Sequence, residues 1–284
     1  MHFSTTSFAA LAALASTTIC TPITLPTIPT PQLLRRAPYQ GCTAEQTKHI
    51  DNSLLQVSGM AVSGDGVLNQ DKSKWSTNKG YTHYFKDEDY DMVKKAYDVL
   101  MTIGESTSKV KFNVKCGKEA ANDCPVGGFA YADPTPESFE GHGHSKGLRY
   151  LTICPQFFTS KRTTGALPTS DDKEGLKKFC DGKETKKVMD YEVGGHTLMH
   201  EISHLDSFGL AAGYPEETDN SEGYEFKYHG TVDWKGSSTA GNARVLKNSK
   251  AKNRPKTWQN AESLAAAATE MGAMWRCDVT DISD

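Results

Sequence analysis

Two histidines and a glutamate in one short segment have the types and spacing of a metal-dependent hydrolytic site. The segment reads His200-Glu201-Ile-Ser-His204, so the two histidines are four residues apart. On a helix, such residues lie on one face about 6 Å apart along the axis, and both imidazoles can reach one metal ion. Glu201 lies beside them and can hold the water that a bound metal polarises. The pattern predicts zinc-dependent hydrolysis of a peptide bond.

The same segment has the apolar periodicity of a helix that packs on a core. Leu198, Ile202 and Leu205 recur at helical spacing, roughly on the side opposite to the two histidines. One face would therefore pack on the core while the other faces a cleft. The alternative interpretation is a chance match of a short motif on a buried helix.

A catalytic zinc ion usually takes three protein ligands and a water molecule, so a third ligand must come from elsewhere. His196 shares the helix face, but about 12 Å of helix axis separates it from His204, and one ion cannot reach both. We interpret His196 as a residue at the rim of the site or behind the ligands. Asp233 is the best candidate, because Gly230-Thr-Val-Asp233 is a turn-like segment that could bring a carboxylate across to the helix. Glu262 is the runner-up.

The composition is that of an ordinary globular domain, and the start of the chain has the character of a secretory leader. Of 284 residues, 37% are hydrophobic and 24% are charged. Residues 1–20 contain a short apolar run followed by small residues, which predicts a signal peptide, although a disordered terminus is the alternative. Residues 21–36 are rich in Pro and Thr and end in Arg35-Arg36, which predicts a short propeptide on a zymogen. Residues 37–284 would form one extracellular domain.

Several classes of partner are disfavoured by the sequence. No stretch after the leader is long enough to cross a bilayer. The net charge is −3, and there is no basic patch or nucleic-acid-binding motif. We therefore expect a secreted monomer that acts on proteins or peptides and binds neither nucleic acid nor membrane.

The cysteines indicate a disulfide framework. Seven are present, and Cys20 falls in the predicted leader, so an even number remains in the mature chain. We expect three disulfides, with Cys116 and Cys124 as the most plausible local pair because they flank a short polar loop. No cysteine neighbours the histidine motif, which disfavours a closed structural zinc site. The six candidates are Cys42, Cys116, Cys124, Cys154, Cys180 and Cys277.

The order of predicted elements is helices, then short strands, then helices, which indicates an α+β fold with a small sheet beside the active-site helix. The segment from Leu205 to about Gly241 is interpreted as loop-rich, and His142 and His144 as exposed loop residues. The predicted helices besides the one around the motif are Thr43 (N-cap) to Val62 with its end at Gly64–Gly66, Asp87–Ile103, Leu176–Met189 and Asn260 (N-cap) to Trp275. The predicted strands are Val110–Val114, Gly127–Ala132 and Arg149–Ile153.

The ordered motifs resemble the aspzincins, the deuterolysin and lysine-specific metalloendopeptidases that fungi secrete. His-Glu-x-x-His is followed by Gly-Thr-x-Asp, which ends here at Asp233. Asn260-Ala-Glu-Ser-Leu264 is similar to the family's Asn-Ala-Asp-Ser-Tyr, and Ile153–Phe158 resembles the strand before the zinc helix. The resemblance implies a zincin-like metalloprotease domain, mostly helical, with one Zn²⁺ held by His200, His204 and Asp233. It also implies that Glu201 is the general base.

One departure from the family pattern favours a second hypothesis. The family motif continues Gly-Thr-x-Asp-x-x-Tyr-Gly, but this chain reads Asp233-Trp-Lys-Gly236 and has no Tyr there. The resemblance implies that this Tyr helps to stabilise the transition state, and Tyr224 or Tyr228 could replace it. The alternative function is a secreted zinc-binding, scavenging or interaction protein without peptidase activity. Glu201 argues for the enzyme, because a structural site has no use for a general base.

The dibasic pair predicts where the mature protein begins. Cleavage after Arg36 would leave Ala37 as the first residue, because Arg35-Arg36 lies in a Pro-rich segment with no packing pattern. N-terminal sequencing of the secreted, active protein checks this. A start between residues 16 and 21 would show that the pair is not used.

Overall fold

The computed structural model describes residues 39–118, 124, 127–135, 149–181, 186–219, 225–236 and 239–283. The predicted leader and propeptide, and the loop histidines His142 and His144, lie outside these residues. Among the described residues, no helix has both the length and the apolar character needed to span a membrane. The helices are α1 (Ala44–Leu68), α2 (Lys72–Trp75), α3 (Lys79–Thr82), α4 (Tyr90–Met101), α5 (Lys161–Thr164), α6 (Lys173–Cys180), α7 (Gly194–His204), α8 (Asp206–Ala212), α9 (Ala240–Asn248) and α10 (Ala261–Cys277).

Two small sheets accompany the helices. The first has the order β1-β3-β2, with β3 parallel to β1 and antiparallel to β2. The second is an antiparallel pair of β4 and β5. A mostly helical chain with one mixed sheet is the predicted α+β class, which is confirmed. The strands are β1 (Asn113–Cys116), β2 (Ala130–Ala132), β3 (Tyr150–Ile153), β4 (Glu217–Asp219) and β5 (Phe226–Tyr228).

Helix α7 lies between α1 and α10 and also contacts β2. Its apolar side chains Leu198, Met199 and Ile202 are fully buried. On α10 the run Ala265–Ala268 is buried as well, and such small side chains allow two helices to pack closely. The helix that carries the histidine motif is therefore held on several sides by the core.

Close contact between α7 and α1 depends on a glycine at the start of α7. A Cβ atom on Gly195 would lie 2.5 Å from the Cβ of Gln56, closer than two such atoms can approach. The Gly195 amide also donates to the Gln56 side-chain oxygen at 2.9 Å. This contact fixes where the helix begins and therefore which residues face the cleft.

Helix α1 begins as predicted but ends later. Thr43 caps it, and its hydroxyl accepts from the Gln46 amide. The prediction that Gly64–Gly66 ends the helix is wrong, because α1 continues to Leu68. A Cβ on Gly64 would lie 2.7 Å from the Tyr97 ring of α4, so this glycine serves close helix packing.

Other predicted boundaries are also wrong. The helix predicted for Leu176–Met189 is shorter, because α6 ends at Cys180 and Lys186 has a left-handed φ of 47°. Strand β1 starts at Asn113 rather than Val110, since the Lys111 amide donates to Ser207 of α8 instead of to the sheet.

The segment after Leu205 is more ordered than the loop-rich prediction. Helix α8 follows α7 directly and ends at Gly213, whose φ of 69° suits glycine. Thr239 caps α9, and its hydroxyl accepts from the Asn242 amide. Helix α8 and the strands β4 and β5 therefore lie within this segment, α9 begins at its end, and the loop-rich prediction is wrong there.

All six expected cysteines are paired, but the local pair is wrong. The disulfides are Cys42–Cys116, Cys124–Cys154 and Cys180–Cys277. Cys116 lies at the end of β1, and a parallel bridge between Gln40 and Lys115 brings the start of the domain beside it. Backbone pairing between distant segments therefore decides the partner of Cys116, and sequence proximity to Cys124 does not.

The disulfide pattern predicts the outcome of thiol titration and peptide mapping. The denatured, unreduced protein should show no free thiol among these six cysteines, because each has a partner with Cα atoms 5.1–5.7 Å apart. Non-reducing proteolysis and mass spectrometry should recover a peptide that joins Cys42 to Cys116. A peptide joining Cys116 to Cys124 would contradict this connectivity.

Candidate metal centre

The histidine motif lies in the last turns of α7, and the two imidazoles converge. The Nε2 atoms of His200 and His204 are 3.2 Å apart, and the rings meet edge to face. The helix ends at His204, where Leu205 takes an extended backbone conformation. The two rings therefore present one nitrogen each to a common point.

Asp233 completes the cluster from a different part of the chain. Its Oδ1 lies 3.1 Å from Nε2 of His200, and its Oδ2 lies 3.6 Å from Nε2 of His204. The Asp233 side chain is 35% exposed, so the cluster opens to solvent on this side. The structure thus brings together the three ligands expected from the sequence.

The segment Gly230–Trp234 delivers this carboxylate, and hydrogen bonds to α7 hold its first half. The Thr231 amide donates to the Ser203 carbonyl at 2.8 Å. The Thr231 carbonyl accepts from Nδ1 of His204 at 2.9 Å. Thr231 alone therefore anchors the crossing chain through its amide and orients a candidate ligand through its carbonyl.

The start of α10 holds the second half of the segment. The Val232 amide donates to the Gln259 carbonyl at 2.8 Å, and the Val232 carbonyl accepts from the Ala261 amide at 3.1 Å. The Asn260 side-chain oxygen accepts from the Trp234 amide at 3.0 Å. Sequence reasoning assigned Asn260 as a helix cap, but its side chain makes no capping hydrogen bond and instead fixes the residue after Asp233.

Glycine is required where this segment touches the end of α7. A Cβ on Gly230 would lie 1.9 Å from the carbonyl oxygen of His204, so any other residue would displace the chain. The neighbouring His229 is held by Asp206, whose Oδ1 accepts from its amide at 2.8 Å and lies 2.9 Å from its Nδ1. Asp206 therefore supports the approach to the site rather than joining the cluster.

The hydrogen bonds determine which nitrogen of each imidazole carries a proton. Nδ1 of His204 faces a carbonyl, and Nδ1 of His200 lies 3.1 Å from Oε2 of Glu262, so both Nδ1 atoms donate. In the neutral imidazoles, both Nε2 atoms then present lone pairs toward the Asp233 carboxylate. Three acceptors this close repel one another unless a cation lies among them.

The spacing of the three atoms suits zinc. Ligand bonds of about 2.0–2.2 Å in a tetrahedral zinc site place neighbouring ligand atoms about 3.4 Å apart. The observed separations among the two Nε2 atoms and the Asp233 oxygens are 3.1–3.6 Å. Two imidazoles and a carboxylate are also a donor set that zinc accepts, so the residues present fit this metal.

The electrostatics of the metal-free cluster agree with a cation site. Burial lowers the pKa of His200, but hydrogen bonds to Asp233 and Glu262 outweigh it and raise that pKa well above its ordinary value. Burial raises the pKa of Asp233, but the two histidines hold it well below its ordinary value. Both shifts indicate that the metal-free cluster attracts positive charge, which a bound cation would supply.

Glu201 lies beside the cluster and is not one of its three ligand groups. Its side chain is half-buried, and burial raises its pKa, although His200 and His204 oppose the shift. The backbone amide of Ala132 in β2 also donates to this carboxylate. Glu201 is therefore held between the sheet and the cluster.

Glu262, the runner-up ligand, lies behind His200. Its Oε2 contacts Nδ1 of His200, the ring nitrogen on the side away from the cluster. Burial raises the pKa of Glu262, but His196 and His200 outweigh it and lower that pKa to about 2. The ionised carboxylate therefore orients His200 without being among the three ligand groups. His196 is likewise not one of the three ligand residues, and it lies on the side of Glu262 away from His200.

A second group of metal-ligand types was not singled out from the sequence. It comprises His83, Glu270 and Asp281. Nδ1 of His83 lies 2.7 Å from Glu270, while its Nε2 lies 3.6 Å from Asp281, so the carboxylates contact opposite sides of the ring. Arg244 occupies the other Glu270 oxygen at 2.8 Å. This arrangement is an ion network that secures the C-terminal segment.

Of the two candidate replacements for the family tyrosine, one lies among the described residues. Tyr224 lies outside the described residues. Tyr228 is on β5, where its side chain is buried and its ring lies 5.8 Å from that of Phe226. After Asp233, the chain turns at Lys235, which has a left-handed φ of 60°, and the Lys235 ammonium lies 4.5 Å from the Trp234 ring centre.

Comparisons with known proteins found similar solved structures but no match among family models or curated sequences. Among solved structures, the chain is similar to one described as a zinc peptidase from Grifola frondosa. The TM-score is 0.46 at 15% identity, and the match covers 80% of this chain and 96% of the other.

The close approach at Gly230 predicts the effect of a single methyl group. Gly230→Ala should lower the free energy of unfolding by at least about 3 kcal/mol, because the new Cβ would overlap the His204 carbonyl. Zinc affinity should fall as well, because Asp233 moves with the segment. Denaturant unfolding and zinc titration measure the two effects.

Gly165→Ala is the matched control, because a Cβ there would meet its nearest neighbour at 3.5 Å, an ordinary contact. It should change stability by less than about 0.5 kcal/mol. Equal behaviour of the two variants would contradict the role of Gly230.

Proposed function

We propose that this protein is a secreted zinc metalloendopeptidase whose zinc ion is held by His200, His204 and Asp233. The observation that carries the proposal is the convergence of two Nε2 atoms and one carboxylate within 3.1–3.6 Å. The Nδ1–H group of each imidazole already donates a hydrogen bond to another acceptor. Without a positive charge there, carried by a metal ion or a proton, acceptors would face one another. One zinc ion per chain is expected.

The chemistry needs a metal and a base, and the chain places a base beside the metal site. Zinc bound at such a site lowers the pKa of a coordinated water toward about 7 and polarises a carbonyl group. A Glu201 carboxylate oxygen accepts the proton of the attacking water and passes it to the leaving amine. Because burial raises the pKa of Glu201, this carboxyl is better matched to proton exchange near neutral pH than an exposed one.

The free edge of β2 supports a peptide as the substrate. In the described sheet, β2 pairs only with β3, and its Ala132 amide points toward Glu201. An extended peptide can add to such an edge through backbone hydrogen bonds, which do not depend on side-chain identity. A peptide lying along β2 would pass next to Glu201 and the cluster.

Three disulfides support a secreted protein, since such bonds persist in oxidising compartments. We therefore retain the proposed order of a signal peptide at residues 1–20, a propeptide at 21–36 and the peptidase domain from residue 37. Removal of the propeptide would convert the zymogen into the active peptidase. We also propose that the protein is a monomer that binds neither nucleic acid nor membrane.

A zinc-binding protein without peptidase activity remains the second candidate. The observation in its favour is the Asp233-Trp-Lys-Gly236 sequence, which lacks the family tyrosine, together with the burial of Tyr228 on β5. The partly exposed Asp233 and the presence of Glu201 favour the enzyme, because a scavenging site gains nothing from either. Activity measurements on matched variants separate the two.

Two substitutions should separate the residues needed for zinc binding from those needed only for peptidase activity. Glu201→Gln keeps the side-chain size, and it should bind zinc normally while peptidase activity falls by about 10²–10⁴-fold, because the base is lost. Asp233→Ala removes a ligand, so zinc content and activity should fall together. Elemental analysis after dialysis and a casein or peptide cleavage assay measure both quantities.

Glu217→Gln is a control, because Glu217 on β4 is exposed and its carboxylate only accepts from the Gln259 side chain. It should match the unmutated protein in both assays. A zinc-loaded protein that cleaves no peptide under any condition would favour the scavenging function. Asp233→Ala with its zinc retained would show that the ligand assignment is wrong.

A further inference from the structure

We infer that His196 is a positioning residue for the metal site, because it holds the Glu262 carboxylate that orients the imidazole of His200. The inference rests on the proposed zinc site and adds a residue two contacts away from the ligand atoms. His196 is buried on α7, one turn before His200, and Glu262 is buried on α10.

Glu262 lies between the two imidazoles. Its Oε2 is 3.1 Å from Nδ1 of His200, and its Oε1 is 3.4 Å from Nε2 of His196. The second distance is an ion-pair contact rather than a well-formed hydrogen bond, and Oε1 has no other hydrogen-bond partner in the described structure. Because a buried carboxylate oxygen needs a polar partner, His196 is the group that compensates Oε1.

The far side of the His196 ring is fixed by α10 as well. The Thr269 hydroxyl donates to the Ala265 carbonyl at 2.9 Å, so its oxygen accepts from Nδ1 of His196 at 2.8 Å. This bond sets the ring so that Nε2 faces Glu262. Burial lowers the pKa of His196, but the charges of Glu262 and Glu192 outweigh it and raise that pKa, which favours the imidazolium form, in which Nε2 also carries a proton for Oε1. The contacts therefore run from Thr269 through His196 and Glu262 to His200, all between α7 and α10.

A purely structural role does not account for a histidine at this position. An apolar side chain would fill buried space next to α10 without the cost of desolvating an imidazole. Without His196, Oε1 of Glu262 would be buried and unpaired, and the carboxyl group would either become protonated or turn away. In the first case Nδ1 of His200 faces a weaker, uncharged acceptor, and in the second case it loses the acceptor, so either change weakens the orientation of the ligand.

Zinc affinity of substituted proteins tests the inference, measured by competition with a chromophoric chelator. His196→Leu should raise the zinc Kd by about tenfold, the low end of the effect of removing an outer-shell partner. His196→Gln, whose amide can donate to Glu262, should stay within about threefold of the unmutated protein. The thermal midpoint of each metal-free protein is measured in parallel.

The matched control is His83→Leu. His83 also pairs with a buried glutamate of α10, with 2.7 Å between its Nδ1 and Oε1 of Glu270. Glu270 is eight residues beyond Glu262, which is about 12 Å along the helix. His83→Leu should lower the metal-free midpoint and leave the zinc Kd unchanged.

The outcomes separate positioning from packing. If His196→Leu lowers the midpoint as His83→Leu does but binds zinc as tightly as the unmutated protein, His196 is only a core residue and the inference is overturned. If His196→Leu does not fold, Thr269→Val decides, because it removes the acceptor of Nδ1. A zinc Kd raised by more than about threefold supports the inference, and a Kd within about threefold of the unmutated protein overturns it. Failure of the unmutated protein to bind zinc would overturn the proposed function as well.

Discussion

The mutual repulsion of three buried or half-buried acceptors is the constraint around which the site is built. Two Nε2 atoms and the Asp233 carboxylate lie within 3.1–3.6 Å of one another, and the opposite nitrogen of each ring already donates a hydrogen bond. Such an arrangement is stable only with a positive charge at its centre. The surrounding structure holds these groups together, because each would separate from the others if it were free.

One short segment that crosses between two helices holds these three groups together. Gly230–Trp234 bonds to the end of α7 through Thr231 and to the start of α10 through Val232 and Asn260. Its glycine allows backbone contact that no side chain would permit. The two helices are themselves packed against each other and against α1, so the ligands are fixed by the main core of the molecule.

The same helix pair supplies the groups behind the ligands. Glu262 lies in the first turn of α10 and faces α7, where His196 and His200 lie on either side of its carboxylate. Strand β2 approaches from the sheet and contributes an amide to Glu201. The proposed metal site, the proposed base and the edge of β2 that is free in the described sheet thus meet at one end of α7, an arrangement that would suit hydrolysis of an extended peptide.

Local patterns in the sequence were sufficient for some of these features. The four-residue spacing of His200 and His204 predicts a shared helix face, Thr43 predicts a helix start, and the order of elements predicts an α+β fold; the structure has all three. These features depend on residues close in sequence, for which helix geometry fixes the result.

Features that depend on distant segments were not predictable in the same way. The partner of Cys116 depends on backbone pairing near Gln40, and α1 passes through Gly64 because Tyr97 of α4 packs there. Asn260 has the sequence signature of a cap, but its side chain binds Trp234. In each of these cases tertiary contacts override a local preference, which single-sequence patterns do not contain.

Anomalous diffraction at the zinc absorption edge, from crystals of the mature protein grown with zinc, tests the central claim most directly. The account predicts one strong peak about 2.0–2.2 Å from Nε2 of His200, Nε2 of His204 and an oxygen of Asp233. A peak coordinated by Glu262 in place of Asp233, a principal peak at His83 and Glu270, or no peak at this cluster would contradict it.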